Sequence, residues 1–352
     1  MRAISNFAAL LILSIAVLAI SNAHAVDNEP SSHHSFGDSI TAGMGVAPDY
    51  RYANLLAQSL NLNLRNFAVS GQTACQMSDS QIFANSFTRE TPAISTVMIG
   101  TNDSNVEGVG KYEAVYQRCL KASLTWLSIA TEDKTFPSSA SCVREGKWEE
   151  VPQAKGAIQS KQFGARLNCT FDSDLSPVYF WYANGDDLNG SFTFTIDGQQ
   201  SVQVRTLSVT PIKMRDGRGL RGQVGFRYSG LKPGRHTISF VVNSKNQSPV
   251  ILYAVGSLTN QHVAPKVLVG GVPFQLANLK GAASARYNAI AQSVASNLRA
   301  EGFSVKFVDV RSKHRGTPSE MQDNLHPNNL GNLHLHKAFF DATLPNLSPI
   351  VR

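Results

Sequence analysis

Gly37-Asp38-Ser39-Ile40-Thr41 follows the end of a predicted strand, and Asp323-Asn324-Leu325-His326-Pro327 lies close to the other end of the chain. A serine hydroxyl is a poor nucleophile at neutral pH, so a neutral imidazole must remove its proton as it attacks. The imidazole in turn needs a carboxylate on its distal nitrogen, which fixes the tautomer and stabilises the imidazolium. Ser39, His326 and Asp323 therefore predict the nucleophile, the base and the orienting acid of a serine hydrolase.

Two segments between these ends carry hydrogen-bond donors for a developing oxyanion. Gly100-Thr101-Asn102-Asp103 follows the apolar run 94–99, so the Asn102 side-chain N–H lies at the tip of a predicted strand. Gly71 follows a second short strand, and its backbone N–H is open to a substrate because glycine has no Cβ. Together with the Ser39 backbone N–H, these groups predict an oxyanion hole formed by Ser39, Gly71 and Asn102.

Two acidic residues adjoin these positions. Asp38 precedes the nucleophile, and we predict that it positions Ser39 or caps the turn that follows. Asp103 follows Asn102, and we predict that it holds the oxyanion loop. We interpret both as supporting residues, and for each we expect a structural role at least as much as a chemical one.

The chain resembles the SGNH, or GDSL-type, esterase and lipase superfamily. The resemblance rests on four blocks in the family's order, namely Gly37-Asp38-Ser39-Ile40-Thr41, Gly71, Gly100-Thr101-Asn102-Asp103 and Asp323-Asn324-Leu325-His326-Pro327. It implies Ser39 as nucleophile, His326 as base and Asp323 as its partner, with the oxyanion donors named above. It also implies a three-layer, flavodoxin-like sheet. One departure is the first strand, which is usually aliphatic in this family but reads Ser31-Ser32-His33-His34-Ser35-Phe36 here.

The rhythm of the chain predicts an α/β fold with a parallel sheet and helices on both faces. Short predicted strands at 33–37, 64–68, 94–99, 266–270 and 304–308 alternate with helical patterns. One such pattern is the helical spacing of Tyr287, Ala291, Val294 and Leu298. The early motif blocks then fall at the carboxyl ends of strands, where open α/β sheets bind ligands.

Residues 133–262 interrupt this rhythm with closely spaced β segments separated by turn signals such as Asp197-Gly198. We predict an antiparallel β-sandwich inserted in the hydrolase, which divides the chain into a signal peptide (1–25), a first hydrolase segment (26–132), the insertion, and a second hydrolase segment (263–352). The insertion resembles carbohydrate-binding sandwiches beside some esterases of acetylated polysaccharides. Its aromatic residues either stack on sugars or pack in the core, and core packing is favoured; they are Trp148, Tyr179, Trp181 and Tyr182.

The first 25 residues predict export. Arg2, the apolar stretch 7–20 and the closing Ala23-His24-Ala25 form a signal peptide with an A-x-A cleavage pattern, and a retained anchor is the alternative. No later apolar run is long enough to span a bilayer, so we expect no transmembrane segment in the mature form and a periplasmic or extracellular location. Four cysteines suit two disulfides in an oxidising compartment, with local pairing favoured among three possible pairings and free buried thiols as the alternative; they are Cys75, Cys119, Cys142 and Cys169.

The chain is basic, with a formal net charge of +7 and a pI near 9.2, which permits attraction to anionic surfaces or polysaccharides. Its basic residues are scattered apart from the stretch 213–221, which we interpret as a solvated loop, so we predict no nucleic-acid partner. His334 and His336 are two apart on a predicted helix and do not share a face, so we predict no metal and no cofactor.

Three functions fit these observations. The first is hydrolysis of a carboxylic ester, with short-chain or O-acetyl esters on a glycan as the favoured substrates and a lipase or lysophospholipase-like activity as the alternative. The second is transfer of the acyl group to a sugar or lipid hydroxyl by the same residues. The third is a catalytically idle glycan-binding surface protein, and the intact motif residues argue against it.

Overall fold

The computed structural model of the protein describes residues 32–84, 90–105, 109–174, 177–185, 188–199, 201–207, 221–276 and 281–344. The predicted signal peptide and most of the basic stretch 213–221 lie outside these residues. The strands, in chain order, are β1 (Ser32–Gly37), β2 (Asn63–Asn66), β3 (Ile94–Met98), β4 (Lys134–Thr135), β5 (Cys142–Glu145), β6 (Glu149–Glu150), β7 (Ile158–Ser160), β8 (Arg166–Ser173), β9 (Val178–Gly185), β10 (Ser191–Ile196), β11 (Val202–Arg205), β12 (Arg221–Tyr228), β13 (Gly234–Val242), β14 (Val250–Ser257), β15 (Lys266–Gly270) and β16 (Val305–Val308). The helices are α1 (Ser39–Ala42), α2 (Tyr52–Ser59), α3 (Ala74–Met77), α4 (Val109–Leu127), α5 (Gly281–Ala300) and α6 (Asn329–Thr343), and a π-helical turn spans Ser78–Phe83.

A parallel sheet in the order β16-β15-β3-β1-β2 forms the centre of the α/β part of the protein. Counted along the chain, this is the 2-1-3-4-5 order of flavodoxin-like sheets, in which ligands bind where the strand order reverses, beside the first and third strands. The sequence predicted this sheet and its strands to within a few residues. Because β1 ends before Ser39 and β3 ends before Asn102, both motif blocks lie at that reversal.

Helices cover both faces of the central sheet, which makes the three layers that the family resemblance implied. On one face, α2 and α6 pack together over a core that includes the stacked rings of Tyr52 and Phe339. On the other face, α4 and α5 pack together, and Tyr116 meets Tyr287 edge to face. The predicted helical spacing at residues 287–298 is confirmed, since Tyr287, Val294 and Leu298 are buried.

The first strand is buried along its whole length despite its polar sequence. The His33 Nε2 atom lies 2.8 Å from Thr96 Oγ1 on the neighbouring strand. Burial lowers the pKa of both His33 and His34 to about 4, so both rings are neutral at physiological pH. A neutral imidazole that makes a hydrogen bond can occupy an interior strand position that is usually aliphatic.

The segment between α4 and β15 forms two antiparallel sheets, in the orders β11-β10-β13-β8-β5 and β12-β9-β14-β7-β6. They enclose a second core, in which the ring of Phe180 contacts those of Phe194 and Phe240. The strands of these sheets run from Lys134 to Ser257, inside the segment 133–262 that the sequence singled out.

Both faces of β9 are buried, so the β12-β9-β14 sheet is a layer shared by two cores. Phe180 and Tyr182 face the sandwich core, whereas Tyr179 and Trp181 face the hydrolase core. The Trp181 ring meets the Trp126 ring of α4 edge to face, and its Nε1 donates to Thr125 Oγ1 at 3.2 Å. The three β9 aromatics are therefore core residues, which is the favoured alternative, while the half-buried Trp148 donates its N–H to the carbonyl of Arg166 at 2.9 Å.

Two disulfides join Cys75 to Cys119 and Cys142 to Cys169, which is the local pairing that the sequence favoured. The first ties α3 to α4 beside the central sheet, and the second joins β5 to β8 in the sandwich. Among the residues that the structure describes, no helix combines the length and apolarity needed to cross a membrane. From Ser32 onward the chain forms one compact unit.

Candidate active site

The turn after β1 presents Ser39 at the carboxyl end of that strand. Asp38 caps α1, because its Oδ1 accepts the backbone N–H of Ile40 at 3.0 Å. Ser39 is the first residue of this short helix and is only 6% exposed. The sequence places the serine on a turn fixed by its own aspartate, so its Oγ direction is set by backbone geometry and not by a flexible loop.

His326 lies opposite Ser39 on the loop before α6, with its Nε2 2.9 Å from Ser39 Oγ. Its Nδ1 lies 2.8 Å from Asp323 Oδ2. The other carboxylate oxygen, Oδ1, accepts the backbone N–H groups of Leu325 at 2.7 Å and of His326 at 2.6 Å. The structure thus brings together all three residues that the sequence singled out as nucleophile, base and acid.

The environment of Asp323 keeps its carboxyl ionised. Partial burial raises the pKa, but the hydrogen bonds from the His326 backbone and ring and from the Leu325 backbone outweigh it, so the pKa is below its ordinary value. An ionised carboxylate accepts a hydrogen from Nδ1, which leaves the Nε2 lone pair directed at Ser39 Oγ. This is the tautomer that a general base at Ser39 needs.

Further contacts fix the histidine loop against the nucleophile turn. The Gln322 backbone N–H donates to the carbonyl of His326 at 3.0 Å. The side-chain amide of the same residue donates to the carbonyl of Met44 at 2.6 Å, across the site. Asn328 caps α6 directly after the loop by accepting from Leu330 and Gly331. Gln322 carried no recognisable signal in the sequence, because it lies outside every motif block.

The proposed oxyanion donors lie on neighbouring loops. Gly71 has a φ of +79°, which favours glycine, and a Cβ there would meet no atom within 4 Å, so the space beside its Cα is open. The Asn102 Nδ2 donates to the carbonyl of Gln72 at 2.9 Å. Because Nδ2 carries two hydrogens, this bond orients the amide and leaves a second N–H for a ligand.

Two buried carboxyls lie behind these loops. Asp103 accepts the backbone N–H of Ala74 with both oxygens, at 3.2 and 3.1 Å, and so fixes the start of α3 after the oxyanion loop. Burial raises the pKa of Asp38 to about 6 and that of Asp103 to about 7. Asp38 therefore contacts the turn after β1, and Asp103 contacts the start of α3.

The two histidines of α6 have separate partners. His334 Nδ1 lies 2.5 Å from Glu320 Oε1, and His336 Nε2 lies 3.0 Å from Ser59 Oγ. Across the described ranges of the chain, no group of three or more His, Cys, Asp or Glu residues has a metal-binding arrangement.

Comparison with known proteins gives a family match and several structural similarities. No curated protein is significantly similar to the chain in sequence. The structure is similar to a member of the lipolytic G-D-S-L family from Veillonella parvula, with 10% identity, 88% of this chain and 96% of that chain covered, and a TM-score of 0.43. It is also similar to a catalytic mutant of an acetylxylan esterase from Geobacillus stearothermophilus, with 12% identity, 88% and 93% covered, and a TM-score of 0.39.

A third similarity is to a family two carbohydrate esterase from Cellvibrio japonicus, with 14% identity and a TM-score of 0.28. That match covers 39% of this chain and spans 38% of the length of the other. Residues 35–138 match the model of the GDSL-like lipase/acylhydrolase family. Residues 35–138 are therefore similar to a GDSL-like lipase/acylhydrolase domain, a family of ester hydrolases.

Proposed function

We propose that the protein is an exported esterase that hydrolyses short-chain or O-acetyl esters on glycans through an acyl-enzyme on Ser39. The observation that carries this proposal is the continuous chain of contacts from Ser39 Oγ to His326 Nε2 at 2.9 Å and from His326 Nδ1 to Asp323 Oδ2 at 2.8 Å. Nucleophile, base and orienting carboxylate are in hydrogen-bond reach of one another, which is the arrangement that acyl transfer requires.

In the first half of the reaction, Ser39 Oγ attacks the ester carbonyl carbon while its proton passes to His326 Nε2. The negative charge on the carbonyl oxygen is stabilised by the Ser39 and Gly71 backbone N–H groups and the Asn102 side chain. The intermediate then expels the alcohol, which takes the proton from His326. Water, activated by the same imidazole, hydrolyses the acyl-enzyme and returns Ser39 to its free form.

The surroundings of Ser39 favour a short acyl group. Among the exposed large apolar side chains on the described loops that flank the nucleophile turn, Met44 and Val69 are closest to it in sequence, at 53% and 46% exposure. Two separate side chains can cover an acetyl or similar group, whereas a long acyl chain requires a continuous apolar groove to repay its transfer from water.

The rest of the chain supports a glycan as the alcohol moiety. A signal peptide at 1–25 would export the enzyme, and the basic net charge of +7 would draw it to acidic polysaccharides. We propose that the sandwich strands belong to an inserted module, spanning about 133–262, that contributes to glycan recognition through surfaces other than its buried aromatics.

The first test is the Ser39→Ala variant assayed with p-nitrophenyl acetate. We expect it to lose turnover to the level of the residual background, while the circular dichroism spectrum and melting temperature stay close to wild type. The exposed Ser59→Ala substitution is a matched serine control and should leave turnover unchanged. A Ser39→Ala variant that keeps its full activity would disprove the assignment of the nucleophile.

The substrate is tested with a nitrophenyl ester series of increasing acyl length, followed by acetate release from acetylated glycans. We expect kcat/KM to be highest for acetyl or propionyl esters and to fall as the acyl chain lengthens. A maximum at long chains would instead point to the lipase or lysophospholipase alternative. Formation of a new ester with an added acceptor alcohol, in place of free acid, would point to the acyltransferase.

A further inference from the structure

A buried glutamine lies beside the catalytic turn and belongs to none of the four motif blocks. Gln81 is on the π-helical turn Ser78–Phe83 and is 0% exposed. Burying an amide is costly unless its donors and acceptor are all paired. Single π-helical turns also occur frequently at functional sites. The hydrogen-bond partners of its amide nitrogen and oxygen therefore indicate what this side chain does.

Gln81 adds side-chain hydrogen bonds at the end of β1. The pairing of β1 with β2 ends at Ser35 and Asn66, two residues before Gly37. Gln81 Oε1 accepts the Gly37 N–H at 3.0 Å, and its Nε2 donates to the Gly37 carbonyl at 2.7 Å. A side-chain amide thus bonds to both backbone groups of the residue that precedes Asp38-Ser39, and the Gly37 carbonyl also accepts the Val69 backbone N–H at 3.2 Å.

The second hydrogen of the same Nε2 goes to the oxyanion loop. It is donated to Gln72 Oε1 at 2.6 Å. Gln72 directly follows Gly71, and its backbone carbonyl is the acceptor that orients Asn102. Gln81 is therefore bonded both to the strand end that carries the nucleophile and to the loop that carries Gly71 and orients Asn102.

The turn that holds Gln81 is itself held by the sandwich. Gln223, a buried residue of β12, accepts from Ser78 Oγ at 3.1 Å and donates to Asp79 Oδ1 at 2.6 Å. Its neighbour Gly222 lies so close to the Cys75–Cys119 disulfide that a Cβ there would be 2.7 Å from the Cys119 sulfur. The first two residues of the π-helical turn are thus fixed by a strand of the other core.

We propose that Gln81 is a positioning residue that sets the distance between Ser39 Oγ and the oxyanion donors, and that Gln223 holds it in place from the sandwich. This inference rests on the proposed function. An oxyanion hole acts only when its donors lie at hydrogen-bond distance from the place where the oxygen charge develops. Since the nucleophile and the donors are on different segments, a link between the segments affects the transition state more than the bound substrate.

The test is Gln81→Leu, which keeps the size of the side chain but removes every amide contact. Activity is expressed per Ser39 site that reacts with a fluorophosphonate, so that loss of folded protein does not count as loss of catalysis. We expect kcat per site to fall by about 10- to 100-fold, with KM for p-nitrophenyl acetate changed by less than about threefold. Gln58→Leu, at an exposed position of α2, is the matched control and should match wild type.

A double-mutant cycle separates positioning from general destabilisation. Gln72→Ala removes the Oε1 acceptor and keeps the backbone of the oxyanion loop, so we expect a smaller loss in kcat per site. Because both substitutions break the same link, the double variant should lose little more than Gln81→Leu alone. Full additivity would contradict the link between the two glutamines.

If Gln81→Leu does not fold, Gln223→Leu takes its place, because Gln223 acts on the site only indirectly, through the π-helical turn. We expect it to lower kcat per site by a few-fold without raising KM. Unchanged kcat per site in the folded variants, or a rise in KM alone, would overturn the inference while leaving the nucleophile assignment intact. Failure of wild-type Ser39 to react with the fluorophosphonate would instead overturn the proposed function.

Discussion

Replacing Asp323 by asparagine should damage the enzyme more than removing the side chain altogether. Asp323 Oδ1 accepts two backbone N–H groups, from Leu325 and His326. An asparagine at this position can satisfy them only with its carbonyl oxygen, so its NH₂ group must face His326 Nδ1. Nδ1 then becomes the acceptor, the ring proton moves to Nε2, and the nitrogen next to Ser39 can no longer take a proton.

The magnitudes follow from the geometry. An imidazole held in the wrong tautomer costs about 10³- to 10⁴-fold in kcat, as the same exchange does in other triads. With Asp323→Ala, water reaches Nδ1 because the carboxylate it replaces is 52% exposed. The main loss is then the attraction between carboxylate and imidazolium, about 2 kcal/mol at about 4 Å and an effective dielectric constant of about 40. That corresponds to a loss of about 30-fold.

Single-turnover and steady-state kinetics with p-nitrophenyl acetate measure both variants. We expect kcat for Asp323→Asn to lie at least about tenfold below that for Asp323→Ala, with similar KM values. Fluorophosphonate labelling of Ser39 should show the same order, because it needs the same proton transfer. If the asparagine variant is as active as the alanine variant, or more active, the backbone bonds to Oδ1 do not fix the side chain as the structure indicates.

Two further predictions concern the residues behind the oxyanion loop. Asn102→Ala removes a donor and the bond to the Gln72 carbonyl, so kcat should fall by about 10²- to 10³-fold with little change in KM; an effect confined to KM would contradict the oxyanion role. Burial raises the pKa of Asp103 to about 7, so the protonated carboxyl stabilises the fold below its ordinary pKa of 3.8, and this stabilisation is lost as the pH rises toward 7. In chemical denaturation from pH 4 to 8, wild type should lose up to about 4 kcal/mol relative to Asp103→Asn, whose carbonyl can still accept from Ala74; parallel curves would contradict the raised pKa.

The fold and the triad could be predicted because each rests on a short-range pattern. Strands followed by glycine-bearing polar blocks locate the carboxyl edge of a parallel sheet, and residues at that edge meet in space whatever their separation along the chain. Ser39 and His326 are therefore brought together by strand order. Hydrophobicity was a poor guide to the burial of β1, which contains His33 and His34. Both histidines are neutral because burial lowers their pKa values, and His33 also has a hydrogen-bond partner in Thr96.

The residues that the sequence did not reveal act across two regions of the chain. Gln81 follows Asp79 and Ser80 and looks like a surface position until its amide is seen to bond to Gly37 at the end of β1. The aromatics of β9 were ambiguous for a related reason, since alternation implies one solvated face and this strand has none. Burial on both faces depends on α4, which lies some fifty residues earlier in the sequence. Such pairings are properties of the assembled molecule and not of any local window.

The layer shared by β9 also limits how this enzyme can be redesigned. The two antiparallel sheets cannot simply be exchanged or deleted, because the Trp181 ring meets the Trp126 ring of α4 and its Nε1–H donates to Thr125 Oγ1. Tyr179 likewise donates its hydroxyl proton to Glu301 at the end of α5, at 2.6 Å. Excision of the sandwich would expose the apolar and polar side chains that now pack against it. A large exposed apolar surface of this kind is prone to aggregation. Changes of specificity are better sought in its surface loops, with the strand scaffold left whole.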